Sequence, residues 1–468
     1  MSDELLSGAT VNDTAQNLLD RINNHDAEIG IIGMGYVGLP LALAFAERGF
    51  KVLGFDIDDA KVEALKRGES YIKHLNPDRV AKAVNSDRLW ATSDFTRIGD
   101  PDAILICVPT PLTPQREPDR TYVRRAAYQI REYLRRGQLI ILESTTYPGT
   151  TDELILPILD GSKEERTLSV VADGDTDTRR GELRSGHDFF LAFSPEREDP
   201  GNATFGTTNT PKVVGGVDEV SGDLAEALYD QIMDRTVRVS SARAAEATKL
   251  MENIFRSVNI ALVNELKMIW DRMDIDVWEV LDAAETKPFG FMRFNPGPGL
   301  GGHCIPIDPF YLAWKAREHG VTTKFIEVAG EVNIRTPEYV IEKLVGALND
   351  RTKAVKGSKI LVLGLAYKKD IDDPRESPSF EIIDALLGLG ADVSYHDPYI
   401  LTAPSMRSWP DLPPMHSVDL DTDLGRFDAA VLVTDHSDVD YDRLVEQLDL
   451  IIDTRGIYRD PRPNVVKA

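Results

Sequence analysis

Two kinds of apolar pattern alternate along this chain, short unbroken runs and longer stretches with helical spacing. Residues 28–32 form a short apolar run, followed by glycines and a helical stretch over 39–48. A second run over 51–55 ends at Asp56. Residues 103–108 and 139–142 are continuous apolar runs between polar flanks, the pattern of strands covered on both faces of a parallel sheet. A second series of the same kind runs through 359–365, a helix over 380–389, and strands over 391–395, 429–433 and 450–452. Between the two series, 242–273 has helical character without Gly or Pro, and a Gly/Pro-rich segment over 295–309 follows. Strands alternating with helices predict an α/β fold of two Rossmann-like doubly wound domains joined by a long central helix. The expected division is an N-terminal extension over 1–27 with a short helix at 15–23, a first α/β domain over 28–237, a helical domain over 238–343 and a second α/β domain over 344–468. Residues 160–187, rich in Asp, Gly and Arg, read as an exposed loop with no function assigned.

Length supports this division, since 468 residues exceed one ordinary core. Hydrophobic residues at 42% and charged residues at 28% are those of a soluble globular chain. No run approaches about 18 uncharged apolar residues, so no membrane span is expected. The first twenty residues lack the basic start and apolar stretch of a signal peptide, and there are only two cysteines, Cys107 and Cys304. A cytoplasmic location without a disulfide framework fits these features. The net charge of −24 argues against nucleic acid as a partner, because a phosphate backbone would be repelled. That acidity reads either as a solubilising surface or as adaptation to a salt-rich cytoplasm.

Four motifs carry chemistry. Gly33-Met34-Gly35-Tyr36-Val37-Gly38 follows a strand and opens a helix, where glycines admit a diphosphate close to the backbone and the helix N-terminus supplies free N–H groups. Asp56 ends the next strand 18 residues after Gly38. A carboxylate there suits the ribose hydroxyls of NAD and repels the 2′-phosphate of NADP. The second motif, Gly299-Leu-Gly301-Gly-His303-Cys304-Ile-Pro-Ile307-Asp308, sets a cysteine among glycines. A lone cysteine is commonly a small buried hydrophobe; one in an open loop beside a nicotinamide could add to an aldehyde and yield a second hydride. No second Cys pair or His-x3-His stands near, so no metal is expected. Cys107, inside an apolar run, reads as core.

Lys249 and Asn253 lie four apart, on one helix face. They are either solvated surface groups or a cation and amide that stabilise negative charge on a substrate oxygen. Glu143-Ser144-Thr145-Thr146 and Phe193-Ser-Pro-Glu196-Arg197 both follow apolar strands, where open α/β sheets bind ligands. Either glutamate could be a loop charge or a base that activates water.

Together these residues resemble the UDP-glucose/GDP-mannose dehydrogenase family from about residue 28 to about 460. The resemblance implies a four-electron oxidation at C6 of a UDP-sugar by two NAD+ and no metal, supplying precursors for surface polysaccharide. It implies Cys304 as nucleophile, Lys249 and Asn253 at the reacting oxygen, and Glu196, Thr146 and Asp308 handling protons and water. Pro109, Thr110, Ser144, Thr145 and Arg375 would line the NAD site. Arg197, Gly299, Gly301, Lys368 and Arg455 would join Glu196, Lys249 and Asn253 around the substrate. The long helix would form the core of a homodimer, and the C-terminal domain would hold the nucleotide. Ile307 stands where UDP-glucose enzymes usually carry Lys, and Arg197-Glu198 replaces their Phe-Leu. With Lys287-Pro-Phe-Gly-Phe-Met-Arg293, these departures favour UDP-N-acetylglucosamine, then UDP-N-acetylmannosamine, then UDP-glucose. The rivals are a two-electron β-hydroxyacid dehydrogenase, which needs neither a reactive cysteine nor a second α/β domain, and a non-catalytic nucleotide-sugar sensor.

Overall fold

The computed structural model describes residues 13–72, 75–113, 115–162, 183–197, 199, 201–202, 204–302, 305–406, 408–421 and 423–468. The chain divides into two compact units, Met1–Met251 and Glu252–Ala468.

The first unit is built on eight strands: β1 (Glu28–Ile32), β2 (Lys51–Phe55), β3 (Leu89–Thr92), β4 (Ala103–Ile106), β5 (Leu139–Leu142), β6 (Phe190–Phe193), β7 (Lys212–Gly216) and β8 (Thr236–Arg238). They lie in the order β3-β2-β1-β4-β5-β6-β7-β8. Every pair is parallel except β6–β7. Successive side chains leave opposite faces of a strand, so the unbroken apolar runs feed two cores. Ile29, Ile31, Leu105 and Ile141 enter one core, while Ile32, Ile104, Ile106 and Leu142 enter the other.

The helices follow the same logic. Gly38–Glu47 is buried from Gly38 through Ala46, which is why it is apolar all round. Thr121–Tyr133 buries only Val123, Ala126, Ala127 and Ile130, a single stripe with polar residues opposite. Helix Asp13–Asn23 adds Ala15, Leu18, Leu19 and Ile22 to the first of the two cores. The expected strand over 103–108 ends at Ile106, so Cys107 lies just past it and is only partly covered. Most of the expected loop at 160–187, residues 163–182, falls outside the described residues.

The second unit holds a five-stranded parallel sheet, β9 (Lys359–Leu363), β10 (Asp392–His396), β11 (Ala429–Leu432), β12 (Ile451–Asp453) and β13 (Val465–Lys467). Its order is β10-β9-β11-β12-β13. Here too Ile360, Val362 and Val431 serve one core and Leu361, Leu363 and Leu432 the other. The fold is therefore α/β with two separate doubly wound sheets, as the hydrophobic pattern requires.

Between the sheets in sequence runs the helix Ala242–Asp271, 30 residues long. A helix not expected from the sequence, Lys324–Asn349, contains Pro337 in its interior. Proline removes one backbone donor and disguises such a segment as a helix boundary. Asn333 of this helix donates to Ser257 O at 3.1 Å and accepts from Asn264 at 3.2 Å. Asn264 in turn accepts from Gly297 N at 3.0 Å, anchoring the start of the Gly/Pro-rich segment.

Candidate active site

In the first sheet the chain order reverses between β1 and β4, the point where open α/β sheets leave a crevice at their carboxyl ends. The glycine loop fills that position. Gly33 has φ +95°, and a Cβ on it would lie 2.6 Å from Cys107 O. A Cβ on Gly38 would stand 2.0 Å from Gly33 O, so the loop closes on itself only with glycine there. Gly35 instead faces open space, with nothing within 4 Å of its would-be Cβ. Val37 precedes helix Gly38–Glu47 without a side-chain cap, leaving the helix N–H groups to a ligand.

Asp56, at the end of β2, is buried and accepts from Met34 N and Asp58 N, each at 2.9 Å. Lys61 Nζ stands 3.5 Å away. Each carboxylate oxygen keeps a second lone pair for a ribose hydroxyl. A cavity of about 440 Å³ opens beside it, lined by Gly35, Tyr36, Asp58, Lys61 and Tyr71 among others. Tyr71 donates to Met34 O, and burial with the Asp56 charge pushes its hydroxyl above the usual range. Lys61 and Tyr71 escaped the sequence reading because neither lies in the glycine motif. These residues fit a dinucleotide: a close-approach loop, an uncapped helix end, a carboxylate and an adjoining cavity.

The loops after β4 and β5 flank the same crevice. Ser144 is buried and donates to Val108 O at 2.7 Å, which ties together the segments bearing Pro109, Thr110 and Thr145. Thr146 Oγ1 is buried without a hydrogen-bond partner, a hydroxyl left for a ligand atom.

Glu196 follows β6 and is held from several sides. Its Oε1 accepts from Arg197 N at 2.7 Å, its Oε2 lies 3.7 Å from Lys212 Nζ, and its carbonyl accepts from the Lys249 ammonium. Arg197 sends its guanidinium to Pro211 O at 2.6 Å. Lys249 is buried, so the reading of a solvated surface lysine does not hold.

Glu143 is not a loop charge either. It is fully buried, 2.6 Å from Lys212 Nζ, and accepts from the Tyr229 hydroxyl. Burial and the like charge of Glu196 raise its carboxyl above the usual range despite Lys212. Burial opposes the Lys212 charge, but Glu143 and Glu196 outweigh it and hold the ammonium above its ordinary value. The two shifts are coherent, since two carboxylates share one cation. Burial beside Glu143 likewise pushes the Cys107 thiol well up, so this partly covered cysteine packed against the core is kept protonated.

One turn before Lys249, Glu246 accepts from Gly149 N at 2.6 Å and from Thr151 N at 2.9 Å and Thr151 Oγ1 at 2.7 Å. It fastens the loop carrying Ser144, Thr145 and Thr146 to the helix carrying Lys249. The i,i+3 spacing to Lys249 was its only sequence signal. Lys212, a single cation opening a strand, gave none.

In the second unit, Asn253 donates to Asp308, both buried. Asp308 begins helix Asp308–Glu318 with Pro309 behind it and Ile307 before it. Cys304 and His303 lie outside the described residues. Their flank is tightly built: a Cβ on Gly301 would lie 2.4 Å from Tyr367 Cβ, and Gly302 N donates to Arg375 O at 2.9 Å. Gly299, at φ +143°, packs against Pro337 and Pro378. Lys368 follows Tyr367 and is half-buried. Arg375 is clamped to Asp373, with guanidinium contacts of 2.6 and 2.9 Å. Arg455 donates to Val433 O at 2.6 Å, and a Cβ on Gly297 would stand 2.8 Å from its Nη1.

Among the described residues no group of three His, Cys, Asp or Glu is placed to hold a metal, and no helix is long and apolar enough to cross a membrane.

Residues 27–233 match the NAD binding domain of the UDP-glucose/GDP-mannose dehydrogenase family, 243–335 its central domain and 361–460 its UDP binding domain. A UDP-N-acetyl-D-glucosamine 6-dehydrogenase from Pseudomonas aeruginosa is 33% identical over 88% of this chain and 91% of its own. An NDP-N-acetyl-D-galactosaminuronic acid dehydrogenase from Ralstonia nicotianae is 35% identical over 93% and 97%. The solved UDP-D-ManNAc dehydrogenase from Pyrococcus horikoshii superposes with a TM-score of 0.80 at 31% identity, covering 94% of this chain and 98% of that one. With matches across most of its length and a fitting dinucleotide crevice, the chain belongs to the UDP-glucose/GDP-mannose dehydrogenase family and is an NAD-dependent nucleotide-sugar 6-dehydrogenase.

Proposed function

We propose that the enzyme oxidises C6 of a UDP-N-acetylhexosamine to the uronic acid, with UDP-N-acetylglucosamine its first substrate and UDP-N-acetylmannosamine the alternative. The observation that carries this reading is that the relatives at about a third identity are named for N-acetylhexosamine derivatives rather than glucose. Ile307 and the 287–293 stretch favour the same branch.

Bound NAD+ supplies a hydride acceptor, used twice with exchange of NADH between the steps. Lys249 and Asn253, one helical turn apart, stabilise the oxygen on C6 as it loses its proton. Cys304 adds to the aldehyde to give a hemithioacetal, and loss of the second hydride leaves a thioester. Glu196 accepts a proton from the attacking water, with Thr146 and Asp308 as further proton-handling groups. Arg197, Gly299, Gly301, Lys368 and Arg455 hold the sugar nucleotide, and Arg375 serves the cofactor.

A homodimer in the cytoplasm is part of this reading. Phe255, Leu262 and Ile269 recur every seven residues on helix Ala242–Asp271 and are all exposed, an apolar stripe that a second copy would cover.

A panel of UDP- and GDP-sugars, with NADH counted and the acid identified, tests the proposal. Two NADH per UDP-N-acetylglucosamine are expected. Turnover confined to UDP-glucose would overturn the substrate, and one NADH per sugar would overturn the four-electron route.

A further inference from the structure

The buried ion cluster behind Glu196 is larger than a proton-accepting carboxylate needs for packing. Lys212 opens β7 with its ammonium buried between two carboxylates, 2.6 Å from Glu143 and 3.7 Å from Glu196. Glu143 is fixed from its other side by the Tyr229 hydroxyl, and the Lys212 ammonium sits 5.2 Å above the Tyr229 ring. Lys212 is thereby anchored on Glu143 and presents its remaining charge to Glu196. The Glu196 carboxylate has a second constraint in Arg197 N, and its own carbonyl is gripped by Lys249. Both oxygens of the carboxylate and the backbone beneath it are thus held from three elements.

We propose that Lys212 is a positioning residue for the oxidation, holding the Glu196 carboxylate ionised and aimed so that it can take the proton of the hydrolytic water. The inference rests on the assignment of Glu196 as that base. In the step concerned, water adds to the thioester carbon, a C–O bond forms, and the water proton passes to Glu196. The C–S bond then breaks with its electron pair leaving on sulfur, which takes up a proton; no electrons are exchanged with an oxidant. A carboxylate that was protonated beforehand could not accept that proton. In a partly enclosed site beside the like charge of Glu143, a nearby cation is what favours the ionised form. The other groups facing the cluster do not replace it: Tyr229 and Cys107 are neutral, and Lys249 meets the backbone of Glu196.

The test is the pH profile of acid formation in Lys212→Gln, which keeps a donor to Glu143 but removes the charge. Its acid limb is expected to move up by about one pH unit or more, with kcat at the acid end at least about tenfold lower and KM for NAD+ within about twofold. Lys212→Arg is expected to restore the wild-type limb. A Lys212→Gln enzyme with an unmoved limb overturns the proposal. Should Lys212→Gln fail to fold, the double variant Glu143→Gln/Lys212→Met, which leaves no buried unpaired charge, is compared with Glu143→Gln alone, so that only the Lys212 charge differs; a higher acid limb in the double variant is expected, and the same limb in both overturns the proposal. If only Lys212→Arg folds, a limb displaced in that variant overturns it equally. Glu196→Gln separates the two claims. Near-normal acid formation in that variant removes the base assignment itself, whereas an inactive Glu196→Gln beside an unchanged Lys212→Gln removes only the role of Lys212.

Discussion

Two of the buried lysines of this enzyme, Lys212 in the first unit and Lys267 in the second, are treated in opposite ways. Lys212 lies between Glu143 and Glu196, which hold its charge in place. Lys267, on the long helix in the second unit, has no hydrogen-bond partner for its ammonium and rests 5.2 Å over the ring of Tyr339. Burial, then the nearby charges of Arg455 and Lys343, push its pKa down to about 7. Burial alone therefore decides nothing about a lysine. The carboxylates brought to it determine whether the charge is kept as a structural element or becomes easy to lose.

The sharpest way to break the contrast is to remove the anion that makes Lys212 different. Glu143→Leu leaves a buried ammonium with only Glu196 beside it and is expected to cost about 3–5 kcal/mol, read as a fall in the midpoint of denaturant unfolding at pH 7. An unchanged midpoint would show that the pair contributes little to folding.

Lys267→Met should act in the other direction, stabilising the fold by roughly 1–4 kcal/mol at pH 7, because a buried ammonium without a hydrogen-bond partner is replaced by an apolar chain of similar length. The pH dependence sharpens this. The folded pKa of about 7 lies below the ordinary 10.5, so between those values the unfolded chain binds the extra proton. Wild-type stability should then rise as pH climbs from about 7 to about 10.5, and below 7 the penalty is constant. Lys267→Met should lack that rise, which thermal melts at several pH values would reveal.

Glu246 makes an intermediate case, a buried carboxylate held by hydrogen bonds from Gly149 and Thr151. Burial pushes its pKa up to about 7, against the hydrogen bonds from Thr151 and Gly149. A folded pKa above the ordinary 4.5 means stability that is complete below 4.5 and is lost as pH rises through 7. Glu246→Gln should flatten the melting temperature over that interval, an effect of about 1–3 kcal/mol. An unaltered slope would assign the dependence elsewhere.

These contrasts also explain what could be read from the sequence. The doubly wound units were legible because strands covered on both faces must be apolar at every position, as 103–106 and 139–142 are. The glycine loop was legible because Gly33 and Gly38 stand where a Cβ would strike the backbone, so residue type and geometry are inseparable there. Lys212 was not legible: one cation before Val213 has no period, and its meaning comes from Glu143, 69 positions earlier. Nor was helix Lys324–Asn349, where Pro337 obscured the spacing. Lys249 was ambiguous for a related reason, since helical spacing puts it on a face but does not say whether that face is wet.

The helix Ala242–Asp271 also acts as a measuring rod. Along its 30 residues, at about 1.5 Å each, it sets the spacing of the group that fastens a loop, Glu246, the two groups proposed to act at the reacting oxygen, Lys249 and Asn253, and the ammonium of Lys267. Substituting any one of them alters a single fitting. Inserting one residue between Lys249 and Asn253 would instead move Asn253 by about 100° around the helix from Lys249, so that both side chains are retained but no longer share a face. The enzyme should thus tolerate changes of letter along this segment far better than a change in its count.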